Sequence, residues 1–104
     1  MLITRSSFAG SGKYVSKWLG DNIASFEYMG YSVNGIMHFN AYGMPLVGGD
    51  ICGFMGETTD DLCEKWHLLG AFYPFSRNHN AMGEKSQEPT TFNDTVRANM
   101  KQAV

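Results

Sequence analysis

Two carboxylates, two guanidinium groups, one imidazole and two aromatic rings are spaced so that loops between regular elements would carry them: Asp21 and Asp50, Arg5 and Arg77, His79, Trp18 and Phe54. Carboxylates, arginine and histidine hold hydroxyl groups by charge-assisted hydrogen bonds, and aromatic faces cover the apolar side of a ring. The mixture suits a polyol. It suits a phosphate poorly, because the acids would repel it. Each residue also has a plainer explanation. Asp21 can cap a helix beginning nearby, and Asp50 can lie buried against Arg77 or Arg5 as an ion pair. His79 can be a satisfied structural residue. Trp18 and Phe54 can belong to a core. There is no Gly-x-Ser-x-Gly elbow and no Ser/His/Asp order to support a triad hydrolase.

The elements that must position these groups follow from periodicity. Leu2 to Phe8 has strand composition and leads into a glycine-rich turn at 9–12 and a loop carrying Trp18 to Asn22. A helical period starts near Ser25 and runs through Phe26, Met29, Val33, Ile36, Met37 and Asn40, with Gly43 and Pro45 as its stop. Met44 to Ile51 reads as a buried strand presenting Asp50 at its end. Thr58-Thr59-Asp60-Asp61 then opens a second helix, with Leu62, Trp66 and Leu69 as its buried stripe and Gly70 as its end. Ala71 to Phe75 reads as a third strand, and Val96 and Met100 mark a third helix. This alternation argues for parallel strands with crossover helices. Three such units cannot close a barrel. The expectation is one α/β piece, residues 1–104, of a (β/α)-barrel truncated at both ends. In such a barrel function gathers beyond the C-terminal ends of the strands, which selects the seven residues above.

Composition narrows the partners. The formal net charge is −2, from 8 basic and 10 acidic residues with no run of either sign, so no nucleic-acid partner is expected. No apolar stretch approaches the roughly 18 residues of a membrane span, and Met1 to Arg5 lacks the order of a signal peptide. Gly 12 and Met 7 are the high entries. Cys52 and Cys63 fit two reduced buried thiols or a short-loop disulfide, and the spacing does not choose between them. No second Cys or His pair stands at zinc-ligand spacing, so neither a metal nor another cofactor is expected.

Five stretches, Arg5-Ser-Ser-Phe-Ala-Gly10, Trp18-Leu-Gly-Asp-Asn22, Gly48-Gly-Asp-Ile-Cys-Gly-Phe54, Gly70-Ala-Phe-Tyr-Pro-Phe75 and Arg77-Asn-His-Asn80, resemble in order and spacing the α-glucosidases of glycoside hydrolase family 31. The resemblance runs from about Leu2 to the Gln87-Glu88-Pro89 turn. It implies a (β/α)8 (TIM) barrel, of which this chain would supply roughly the last three β/α units, and a retaining mechanism with two carboxyl groups. It implies that Asp21 is the acid/base, that Arg5, Trp18, Asp50, Phe54 and His79 bind or shape the pocket for a glucosyl unit, and that Arg77 supports the acids. The nucleophile's motif, Trp-x-Asp-Met-Asn-Glu in the family, does not occur among the 104 residues. The chain alone is therefore expected to be inactive. The implied partners are an α-glucoside such as maltose or malto-oligosaccharide and the remainder of the catalytic barrel; the alternative is a non-catalytic carbohydrate-binding remnant.

Two positions depart from the family pattern. Lys17 stands where relatives often carry histidine, and Gly49 where alanine is usual. Cys52, Cys63 and the Arg77-Asn-His-Asn80 run are similar to the maltase, acid α-glucosidase and sucrase-isomaltase branch, which further implies that the two cysteines pair. The branch also implies a secretory, lysosomal, vacuolar or extracellular location, with which the sequon Asn93-Asp94-Thr95 agrees.

Overall fold

The structure, a computed structural model, describes residues 2–103. Five short strands lie parallel: β1 (Ile3–Thr4), β2 (Ser16–Trp18), β3 (Val47–Gly48), β4 (Asp50–Ile51) and β5 (Arg77–Asn78). One sheet has the order β1-β2-β3, with Ile3 opposite Ser16 and Lys17 opposite Val47. In the other, Asp50 of β4 lies opposite Arg77 of β5. Only Gly49 separates β3 from β4, so 47–51 is one interrupted strand. Its first half pairs with β2 and its second half with β5. The result is four neighbouring parallel strand positions that do not close on themselves.

Helix α1 (Phe26–Ala41) crosses from β2 to β3, α2 (Asp60–Gly70) crosses from β4 to β5, and α3 (Asp94–Ala103) follows β5. The β1-to-β2 connection holds only a 3₁₀ turn at Ser11–Lys13. Helix starts are fixed by side chains that accept free backbone N–H groups. Ser25 Oγ accepts from Tyr28 N at 3.2 Å, and Thr59 Oγ1 from Leu62 N at 3.2 Å. Asp60 and Asp61 add favourable charge at the positive end of α2.

Three expectations about the strands need correction. The strand expected over Leu2 to Phe8 extends only over Ile3–Thr4. The expected loop at Trp18 begins as β2, which raises the strand positions from three to four. A lysine inside Ser16-Lys17-Trp18 disguised this strand. Lys17 is buried, with its ammonium donating to the Arg5 carbonyl and lying 4.7 Å from the centre of the Phe39 ring. Finally, Ala71 to Phe75 is not a strand. Its first residues close α2, with Phe72 N bonded to Leu69 O and Tyr73 N to Gly70 O, and the ladder begins later, at Arg77.

The core lies between the second sheet, α2 and α3: Ile51, Cys52, Leu62, Cys63, Trp66, Tyr73, Phe92, Val96 and Met100. Leu62 and Trp66 of the expected stripe are buried, while Leu69 is only partly covered. Tyr73 carries its hydroxyl inside, where Trp66 Nε1 donates to it at 3.0 Å and Ser32 Oγ shares a hydrogen with it. The expected apolar face of α1 is not a core face: Phe26, Val33 and Met37 are exposed, while Met29 and Ile36 touch the core from one side. Cys52 and Cys63 form a disulfide, which closes a sequence separation of 11 residues. The question of thiols or disulfide is resolved by the fold, because the first turn of α2 is packed directly on the end of β4.

Candidate active site

The candidate residues gather at the strand ends, Asp50 and Arg77 inside the two-residue strands β4 and β5 and the others at or just past C-terminal ends, where side chains can converge. Five form one chain of contacts. Arg5, the residue immediately after β1, pairs with Asp21 at 3.7 Å and lies over the Trp18 indole with its guanidinium carbon 5.6 Å from the ring centre. Arg77 covers the same indole at 5.3 Å. Two guanidinium groups thus lie within cation–π reach of the Trp18 indole, an arrangement favoured by the negative face of the ring. Its Nε1 donates to Asp50 Oδ1 at 3.0 Å, and Arg77 donates to that same oxygen from Nη2 at 2.6 Å and from Nε at 3.2 Å.

Asp50 has 0% exposure, and its other oxygen, Oδ2, is buried with no hydrogen-bond partner among the described residues. Burial pushes its pKa up, and Arg77, His79 and Trp18 pull against that shift. The structural reading of Asp50 is therefore realised in its Arg77 form and not in its Arg5 form. Asp21 does not cap α1, since Ser25 does. Its side chain keeps 31% exposure, and its ion-pair partner among the described residues is Arg5. Asp21 also borders an open cavity of about 240 Å³ lined by Leu19, Gly20, Tyr28, Tyr31 and Ser32. Gly20 lets Arg5 approach, since a side chain there would press on the guanidinium at 3.1 Å.

Phe54 and His79 form a second group. Their rings stack with centres 5.1 Å apart, and His79 is exposed. The groups are joined by residues that the sequence reading did not select. Asn22 is buried, donates from Nδ2 to Asp50 O at 2.9 Å, and accepts Phe54 N on Oδ1 at 2.9 Å. Gln87 is buried in the polar tail, and its Nε2 reaches Ile51 O, Gly53 O, Asn78 Oδ1 and His79 O at 2.9–3.2 Å. Asn22 adjoins the Trp18-to-Asp21 run and was legible by position. Gln87 carries no periodic or motif signal, because a lone amide in a polar segment looks like any surface residue.

Among the described residues, Cys52, Cys63 and His67 place potential metal-ligand atoms within 4.8 Å of one another. Both sulfurs are committed to the disulfide and offer no thiolate.

The sequence matches the family description "Glycosyl hydrolases family 31 TIM-barrel domain" over residues 1–104. It is 58% identical over 91 residues to intestinal sucrase-isomaltase of Oryctolagus cuniculus, covering 88% of this chain and 5% of that protein. To lysosomal alpha-glucosidase of Rattus norvegicus it is 52% identical over 102 residues, covering 98% of this chain and 11% of the relative. A solved structure of the ER glucosidase II heterodimeric complex, catalytic subunit with the binding domain of its regulatory subunit, superposes with a TM-score of 0.94 at 33% identity. That superposition covers 97% of this chain and 11% of the other. The chain thus spans about a tenth or less of its relatives, and over all of its own length it belongs to glycoside hydrolase family 31, with the partial barrel architecture of that family's catalytic domain.

Proposed function

We propose that residues 1–104 are part of the catalytic barrel of a retaining α-glucosidase, the C-terminal strands carrying the acid/base and the sugar contacts. The observation that carries this reading is the convergence of Asp21, Arg5, Trp18, Asp50 and Arg77 on neighbouring strand ends, with Asp21 partly open beside a cavity. In this reading Asp21 protonates the departing glycosidic oxygen and then takes a proton from water. Arg5 orients the Asp21 carboxylate and reaches the glucosyl unit. Trp18 and Phe54 supply ring faces and His79 a hydroxyl contact. Asp50, locked by Arg77, fixes the wall of the pocket.

The attacking carboxylate belongs to the rest of the enzyme, since no Asp-Met-Asn-Glu motif occurs in this sequence. The same missing part would cover the free sides of the four strand positions and the exposed Phe26, Val33 and Met37 of α1. The substrates in this reading are terminal α-linked glucosyl residues of malto-oligosaccharides. The disulfide and the lysosomal and intestinal relatives support a secretory or lysosomal route.

The test is Asp21→Asn in a complete enzyme that contains this segment. Maltose turnover should fall roughly 10²–10⁴-fold, the scale of a lost general acid, with substrate binding largely kept. An aryl glucoside whose leaving group needs no proton should lose far less in its first, glycosyl-transferring step. Unchanged maltose turnover would sink the assignment. Robust maltose hydrolysis by the purified 104-residue chain would overturn the division of the two carboxyl groups.

A further inference from the structure

We propose that Asn93 is a site of N-linked glycosylation. Asn93-Asp94-Thr95 is the only Asn-x-Ser/Thr triplet in the sequence, and all three residues are exposed at the start of α3. The Asn93 side chain has two structural duties. Its Oδ1 accepts Val96 N at 3.0 Å, capping α3, and its Nδ2 donates to Asp60 Oδ2 at 3.1 Å. An amide nitrogen carries two hydrogens. The Asp60 contact uses one, which leaves the other for substitution. A glycan on Nδ2 keeps both the oxygen that caps the helix and one N–H, so the modified residue retains the chemistry of its structural role. The disulfide between Cys52 and Cys63 is an independent observation pointing to the oxidising compartment in which such transfer occurs.

The donor is a lipid diphosphate-linked oligosaccharide. Nδ2 forms a bond to the anomeric carbon as the carbon–oxygen bond to the diphosphate breaks. The broken bond's electron pair leaves with the lipid diphosphate, and one amide proton passes to a base of the transferase. This inference does not depend on the glucosidase reading, because the modification precedes any turnover.

The full chain, fused to a secretion leader, is expressed in eukaryotic cells and analysed on denaturing gels from total lysate, so that misfolding does not remove it from view. Wild type is compared with Asn93→Gln and Thr95→Ala. The second variant is decisive, since it deletes the sequon and leaves the capping asparagine in place. The wild-type band should run slower than both variants and collapse onto Thr95→Ala after peptide-N-glycosidase treatment. The tryptic peptide ending at Arg97 should then carry aspartate at position 93. Wild type co-migrating with Thr95→Ala, with position 93 recovered as unmodified asparagine, would overturn the proposal. A glycan surviving in Thr95→Ala would overturn it too.

Discussion

Asp50 has one carboxylate oxygen crowded by three donors and the other with none. Such a group persists because the indole and the guanidinium fix it in place, and removing the guanidinium would leave the buried Asp50 charge uncompensated. The same logic applies to Gln87. Its amide nitrogen shares two hydrogens among four acceptors within reach, drawn from the end of β4, the loop after it and the end of β5. Gln87→Leu keeps the volume and strands those acceptors, so it should destabilise the fold by about 1–3 kcal/mol. The measurement is a urea denaturation midpoint of the chain or of an enzyme containing it. An unchanged midpoint would show that solvent replaces the amide freely and that Gln87 does not clamp the loops carrying Phe54 and His79.

At the scale of elements, the interrupted strand 47–51 is the hinge of the architecture, since it pairs with β2 and then with β5. Its two central glycines have opposite roles. A Cβ on Gly48 would collide with the Phe75 carbonyl oxygen, a backbone atom that cannot swing away. A Cβ on Gly49 would meet Asn22 Nδ2 at 3.6 Å, Leu19 Cδ1 at 3.7 Å and Ser32 Cβ at 3.9 Å, which is ordinary contact. Gly48→Ala should therefore cost on the order of 3 kcal/mol through overpacking. Gly49→Ala should be neutral or should stabilise by about 0.4–1 kcal/mol by restricting the unfolded chain. Thermal melts of the two variants side by side check both signs, and equal losses would refute the distinction.

At the scale of the molecule, acid stability has an identifiable source. His67 lies in the core against the disulfide, with Nδ1 2.9 Å from the Cys63 carbonyl and 3.4 Å from Cys52 Sγ. Burial lowers its pKa, and the Cys63 carbonyl acts in the opposite direction. In the window between that lowered value and the unfolded value near 6.5, the unfolded chain holds more protons. Stability therefore rises with pH there and is lost on acidification. The denaturation midpoint should fall between about pH 7 and about pH 5. His67→Asn, less stable at neutral pH, should lose less over the same range. A parallel fall in both proteins would assign the acid sensitivity to other groups.

The residue types and their order sufficed to expect parallel strands, crossover helices and a polar set at the strand ends, because turn residues, caps and periodicity are local properties. Thr59 caps α2 and Gly70 is its last residue where the chain's own chemistry indicated, and α1 starts at the expected place although Ser25 and not Asp21 caps it. The five motifs from Arg5 to Asn80 likewise carried the family, because close backbone approaches and site chemistry constrain residue identity directly. Tertiary structure alone decided the rest. It made a strand of Ser16-Lys17-Trp18 by giving a buried ammonium a carbonyl and a ring, and turned Ala71 to Phe75 into a helix end by drawing the Tyr73 hydroxyl inward. It chose Arg77 over Arg5 for Asp50 and gave Gln87 its acceptors. Long-range partners are absent from any window of sequence, and a polar residue's burial depends on whether such partners arrive.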